Sequence, residues 1–455
     1  MINLLSLAGV LSSVLSIVLA LMILLIMITV HEFGHYIVGK IFKFKINEFA
    51  IGMGPAIFKR KSKKSDEVFS IRALPLGGFC AFEGEDKEEE IEGSFNTKAP
   101  WKRILVLIAG ATMNLILGVI ILVLSVGFYG QLMIETYDIR PISSMEYANY
   151  SLQDDDVILE IDNRKIYMST DVVDVLDGKK QGDVVNVKVL ANGETITRKV
   201  RLRNDVEYQN LAENFSAFTA LGVSTIIKIS NGDDLLKDKY LLRVNDASVY
   251  EDCTRIFETT DLISYAKTLS VGDTLGFYYS SGGSNKELKE VIIDEDLSSK
   301  QDSEILEKLG IFETEKLLKY ATKNVKFGFF ETIERGLRYS LSIAGTIFTT
   351  LGELLTGKLG INNMGGTFTT ISVTANAIKV GGFNYFLEIA GFIGINLAVF
   401  NLIPIPALDG SRAVFCLIEW IFKKPVPRKI EGVIHAVGLV LLLGFSILVD
   451  VLHLF

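Results

Sequence analysis

The residues best placed for chemistry sit in one pentapeptide, His31-Glu32-Phe33-Gly34-His35. On a helix, residues four apart share a face, so two imidazoles at this spacing can converge on one metal ion. The glutamate between them can reach a water on that metal and take its proton. The chain has only four histidines in 455 residues, so two of them around a glutamate at this spacing are hard to ascribe to chance. Imidazole and carboxylate donors in such a frame suit zinc better than other metals. Two histidines leave the ion short of a protein ligand. His435 and His453 are candidates, but neither has an acidic or polar companion and both read as interfacial residues. Asp409 is the better candidate. It closes the run Asn401-Leu402-Ile403-Pro404-Ile405-Pro406-Ala407-Leu408-Asp409-Gly410, where two prolines break an apolar helix. Backbone freed at membrane depth is tolerated only where it lines a protein cavity. A broken helix carrying Asn401 and Asp409 is therefore an expected active-site wall.

The elements that must position these groups are membrane spans. Hydrophobic residues make up 49% of the chain and mean hydropathy is +0.35. Residues 1–30 contain no charged side chain, and about 20 apolar residues cross a bilayer. The absence of a basic leader, the length of the run and the lack of a small-residue cleavage site argue against a cleaved signal peptide. A second span is expected over 104–128, after Trp101, Lys102 and Arg103, a third over 385–402 and a fourth over 434–454. Residues 327–355 carry Glu331, Glu334, Arg335 and Arg338 before an apolar half, which predicts an amphipathic helix lying on or dipping into the membrane. The histidine pair falls at the end of the first span, where ionisable groups are costly and usually functional. Lysine and arginine crowd the first loop (Lys40 to Arg72) and the stretch Arg412–Lys429, so both are expected in the cytoplasm. Both termini and the insert 130–325 are then extracytoplasmic.

Several function classes are disfavoured. A net charge of −8 and a pI near 5.3 argue against a nucleic-acid partner, which needs a basic face. Cys80, Cys253 and Cys416 have no CxxC spacing; they imply neither a disulfide framework nor a cysteine metal site, and read as small buried hydrophobes. A transporter should show broken helices in two related halves, and only one broken span is evident. An inactive scaffold should have lost Glu32 or a ligand, and none is missing.

Two further segments have a readable pattern. Val68–Phe82 alternates apolar and polar residues around Pro75-Leu76-Gly77-Gly78 and reads as a hairpin whose edge could pair with an extended substrate. Gln153–Ile166 resembles the core of a PDZ domain, with Asp162-Asn163 as its turn, a helix over 168–177 and strands over 184–190 and 196–202. A weaker echo appears at 236–246, followed by a helix near 264–270 and strands at 274–279 and 287–293. Tandem PDZ-like domains either bind substrate or act as a steric filter. The expected fold is thus a polytopic α-helical membrane protein of about four spans, with a membrane-associated β-hairpin and extracytoplasmic α+β PDZ-like domains. Its parts are 1–129, 130–206 and 207–300 (PDZ-like), a linker with the amphipathic helix (301–382), and 383–455.

The motifs HEFGH and NLIPIPALDG resemble those of the site-2 protease family, in particular the bacterial RseP-like intramembrane proteases. Gly52-Met53-Gly54-Pro55, Leu74-Pro75-Leu76-Gly77-Gly78-Phe79, and Ser94 through Asn114 match further family segments, so the likeness covers nearly the whole membrane part. Asp409-Gly410-Ser411-Arg412 and Asn363-Met364-Gly365-Gly366 depart from its commoner forms. The resemblance implies a Zn2+ cofactor on His31, His35 and Asp409, Glu32 as base, and Asn401 beside the substrate. It also implies substrate contacts at Leu76, Gly77, Gly78, Phe79, Pro404 and Pro406. The implied partners are the lipid bilayer of a bacterial cytoplasmic membrane and single-span membrane proteins, such as anti-sigma factors or signal-peptide remnants.

Overall fold

The computed structural model describes residues 7–63, 65–85, 94–137, 139, 150–203, 214–244, 253–281, 286–357 and 365–452. Residues 86–93 and 358–364 and His453 therefore lie outside the described residues. The chain divides into two units, residues 132–325 and the remainder.

Among the described residues, the membrane unit holds four helices long and apolar enough to cross a bilayer: Ser13–Ile41, Pro100–Tyr129, Gly381–Leu402 and Lys429–Leu452. They belong to helices α1 (Leu7–Ile41), α2 (Pro100–Tyr129), α8 (Thr367–Leu402) and α10 (Arg428–Leu452). The first corrects an expectation: the histidine motif does not end its span. Apolar residues resume after it at Ile37, Val38 and Ile41, nothing breaks the ladder, and α1 runs on to Ile41. The third span begins at a kink, where Gly382 adopts φ +65°, a conformation costly for any residue with a Cβ.

Lipid offers little hydrophobic drive between helices, so close van der Waals packing through small residues holds spans together. A Cβ on Gly34 would lie 2.5 Å from the Ala109 carbonyl, and one on Gly118 2.9 Å from the Gly391 carbonyl. The glycine inside HEFGH is thus the point where α1 and α2 touch by backbone. Ala20, Ile23 and Met27 of α1 pack with Ala375, Ile378, Ala390 and Ile393 of α8. Helix α7 (Phe329–Leu355), the expected amphipathic helix, packs along α2 and α8: a Cβ on Gly336 would abut Val123, and the Tyr339 hydroxyl donates to Glu388 at 2.7 Å.

Strands β1 (Ile46–Lys61) and β2 (Val68–Phe82) form a separate sheet. The expected hairpin within Val68–Phe82 is corrected here. Its two arms do not pair with each other; both flank the first half of β1. Ile46 to Ile51 oppose Phe82 to Gly78 with opposite chain sense, while Glu48 to Ile51 also oppose Val68 to Ile71. The second half of β1 covers the far side, with Phe58 to Lys61 opposite Ile71 to Val68. Alternation marks residues as β but does not choose their partner. Gly52, Gly54 and Gly77, all at positive φ, make the bends. Inside the sheet, burial raises the Glu48 pKa, but the Ser70 hydroxyl and the Arg72 guanidinium outweigh it and hold the carboxyl below its ordinary value.

The second unit carries one continuous sheet in the order β12-β11-β9-β8-β13-β3-β4-β6-β7. Its first half comprises β3 (Gln131–Thr136), β4 (Val157–Ile161), β5 (Arg164–Lys165), α3 (Ser169–Leu176), β6 (Val184–Ala191) and β7 (Glu194–Arg201). Asp162 and Asn163, both at positive φ, make the expected β4–β5 turn. After α4 (Asn214–Ala220) and β8 (Ser224–Gly232), the second half repeats the pattern: β9 (Tyr240–Val244), β10 (Thr254–Arg255), α5 (Thr259–Ala266), β11 (Thr274–Ser280) and β12 (Glu287–Ile292).

The two halves even share their capping bonds. Asp171 accepts from the backbone N–H groups of Tyr167 and Met168, and Asp261 from those of Phe257 and Glu258. That cap starts the second helix at Thr259, ahead of the expected 264–270, and the chain is already turning at Thr268. The expected linker from 301 is also corrected. Helix α6 (Asp302–Lys308) buries Ile305 in the second core, and β13 (Ile311–Val325) pairs with β8. Residues up to Val325 thus belong to the sheet.

Candidate active site

Helix α1 presents His31 and His35 to the same side, and both rings are buried, at 9% and 6% exposure. Their partner comes from the far end of the chain. Helix α8 ends at Leu402, the segment 403–408 is non-helical, and helix α9 (Asp409–Phe422) begins with Asp409. Pro404 lacks an amide hydrogen and cannot continue the ladder of α8. A Cβ on Gly410 would collide with the backbone of Leu402 and Ile403, so the turn into α9 requires glycine.

Three ligand atoms meet at this point. His31 Nε2 lies 2.9 Å from Asp409 Oδ2, His35 Nε2 lies 3.2 Å from the same oxygen, and the two Nε2 atoms are 3.1 Å apart. His35 Nδ1–H donates to the Val106 carbonyl at 2.8 Å, which fixes the proton there and leaves the Nε2 lone pair facing inward. Lone pairs and a carboxylate turned toward one another in a buried site repel unless a proton or a metal cation lies between them. A tetrahedral zinc with bonds near 2.0–2.1 Å separates its ligand atoms by roughly 3.3 Å. Spacing and donor chemistry therefore fit a divalent metal, and among the described residues these three form the cluster able to hold one.

Glu32 is turned to the sheet. Its Oε2 accepts from the Cys80 backbone N–H at 2.9 Å. The segment 78–82 thus presents its outer edge to Glu32 while its inner edge pairs with β1. Gly77, at positive φ, makes the bend, and the Arg72 guanidinium stacks on Phe79 with 4.8 Å to the ring centroid. The Cys80 thiol is buried, and that burial pushes its pKa up, as expected for a packing cysteine. Asn401 lies in the last turn of α8, where its amide donates to the Leu397 carbonyl at 2.9 Å. Pro404 and Pro406 lie in the break itself.

Two contributors escaped the sequence reading. His435, in the fourth span, is no part of the ligand cluster; its Nδ1 accepts from the Ala407 N–H at 3.0 Å. Ala407 adopts φ +77°, strained for a residue with a Cβ, so His435 helps to hold the broken segment two residues before Asp409. The second is Gly110 on α2, where a Cβ would stand 2.5 Å from His35 Nε2 and 2.8 Å from His31 Cε1. Its signal was the run of small residues Ala109-Gly110-Ala111-Thr112 early in the span. Gly110→Ala is expected to weaken metal binding at least about tenfold, since the added methyl occupies space the ligands use. Competitive metal titration checks this, and an unchanged affinity would contradict the geometry.

A family model described as Peptidase family M50 matches residues 19–445. A chain from Clostridium perfringens whose name assigns it to the zinc metalloproteases is 28% identical over 429 residues, covering 93% of this chain and 94% of its own. A similarly named Fusobacterium nucleatum chain is 27% identical, covering 94% of each. The regulator of sigma E protease of Haemophilus influenzae is 25% identical, covering 93% of this chain and 94% of its own. With a match running from the first span to the last, the chain belongs to peptidase family M50, the site-2 proteases.

Proposed function

We propose that this chain is an intramembrane zinc metalloprotease that cuts single-span membrane proteins, anti-sigma-factor-like substrates or signal-peptide remnants among them. The observation that carries the reading is the convergence of His31, His35 and Asp409 beside Glu32 within a span. The three ligand atoms would hold the ion, which supplies Lewis acidity toward a water and a peptide carbonyl. Glu32 takes the proton of the attacking water and returns it to the leaving amide nitrogen. A helical substrate hides its amides in i to i−4 bonds and must unwind before attack. The outer edge at Gly78–Cys80, where Glu32 accepts from the Cys80 N–H, offers strand addition to the unwound segment once Glu32 turns to the water, with Leu76 to Phe79 as the substrate-contacting stretch. Asn401 is the polar group for the substrate backbone, and Pro404 and Pro406 shape the opposing wall.

The basic first loop and the stretch after Asp409 support a site toward the cytoplasmic side of a bacterial membrane. The repeated halves of the second unit support tandem PDZ-like modules that contact or filter the substrate's extramembrane part. A complete ligand set with its base disfavours the alternative of an inactive scaffold.

The test is reconstitution of the full chain with a single-span substrate in liposomes and mass spectrometry of the products. New termini within the hydrophobic segment, lost on chelation, are expected. Cleavage confined to extramembrane segments would overturn the reading.

A further inference from the structure

The face of α1 and the sheet formed by Phe33, Tyr36, Phe49 and Phe69 carries a cavity of about 640 Å³. Four rings line it as a continuous wall: Phe33 stacks on Tyr36 at 6.2 Å, Tyr36 meets Phe49 edge-on at 5.4 Å, and Phe49 stacks on Phe69 at 6.1 Å. Its rim is basic, with Arg60, Lys61 and Lys63 all exposed.

The charge on this rim is not cancelled internally. The one carboxylate in the lining, Glu67, accepts from the Tyr36 hydroxyl at 3.2 Å and pairs with Lys40. Lys61 meets Asp66 at 2.9 Å, but both side chains stand in solvent, at 64% and 83% exposure, where such a pair contributes little. Arg60 and Lys63 have no ionic partner among the described residues.

We infer that this cavity binds the headgroup of an anionic phospholipid, the phosphodiester on Arg60 and Lys63 and the first acyl carbons on the aromatic wall. Three observations on the molecule select that occupant. Phe33 and Tyr36 belong to the last turns of the first span, so the wall begins in the span and its rim lies on the sheet that follows. Phe33 and Phe69 are 43% and 37% exposed, and the neighbouring Phe58 and Ile71 are exposed too, so the apolar surface continues outward as a lipid tail would. Aromatic rings beside arginine and lysine are the composition of a membrane–water boundary, and basic pockets there take acidic headgroups. Sites that enclose a small organic ligand run to roughly 300–1,000 Å³, so this volume suits a headgroup with part of its chains better than a lone phosphate. The inference depends on α1 as a span and not on proteolysis.

Native mass spectrometry of the full chain in neutral detergent, titrated with phosphatidylglycerol, tests it. Wild type is expected to retain phosphatidylglycerol in preference to phosphatidylcholine, and inorganic phosphate at the same concentration is not expected to displace it. The double variant Arg60→Gln with Lys63→Gln should bind roughly 25-fold more weakly, each lost cation contributing about a fivefold factor. A charge-matched control, Lys423→Gln with Lys424→Gln, removes two charges elsewhere and should leave the affinity unchanged. Equal retention of phosphatidylcholine, displacement by inorganic phosphate, or equal losses in both double variants would each overturn the proposal.

Discussion

Glu32→Gln is expected to leave one zinc per chain and to lower cleavage of a reconstituted single-span substrate by about 10²–10⁴-fold. Glutamine has the same shape and an amide oxygen that can still accept from the Cys80 N–H, so the side chain stays at the strand edge. What it lacks is a basic carboxylate to take the proton of the attacking water. Glu32 is also outside the ligand cluster, so removing its charge should not empty the metal site. Single-turnover cleavage with metal analysis of the same preparation measures both. Wild-type cleavage by this variant would show that the base lies elsewhere.

Asp409→Ala is expected to weaken zinc binding by more than the roughly 10–100-fold that loss of an outer-shell partner costs. The carboxylate is the only anionic donor in the cluster, and without it two neutral imidazoles remain. Fold loss should not account for the effect. Asp409 begins α9, so its removal also forgoes a favourable charge at a helix N-terminus, worth about 0.3–1 kcal/mol. The first turn keeps its other fastening, the Ser411 hydroxyl donating to the Leu408 carbonyl at 2.8 Å. A thermal midpoint close to wild type beside a large loss of zinc affinity separates a ligand from a structural residue.

The histidine pair was legible in the sequence because helical periodicity is local: four residues of spacing fix a shared face with no knowledge of the fold. Asp409 was legible through Pro404 and Pro406, since prolines in an apolar helix mark a break and a break at membrane depth needs a cavity. The rest depended on partners distant in the chain. That Val68–Phe82 sends both arms against Ile46–Ile51 is a matter of register, on which alternation is silent. Gly110 matters only because α2 crosses α1 at the imidazoles, and His435 only because a fourth span reaches the strained Ala407. The second repeat's helix starts earlier than its apolar pattern predicts because Asp261 caps it at Phe257 and Glu258. The motif's polar groups predict the end of an apolar helix, whereas the buried cluster accommodates them and α1 continues to Ile41.

His31, His35 and Asp409 are together expected to hold one metal ion. The most direct test is zinc per chain, with affinity from competitive chelation, for wild type, Glu32→Gln and Asp409→Ala purified side by side. One zinc at matched affinity is expected in the first two, and a site largely emptied by the same chelator in the third. One zinc at wild-type affinity in Asp409→Ala would contradict this ligand set.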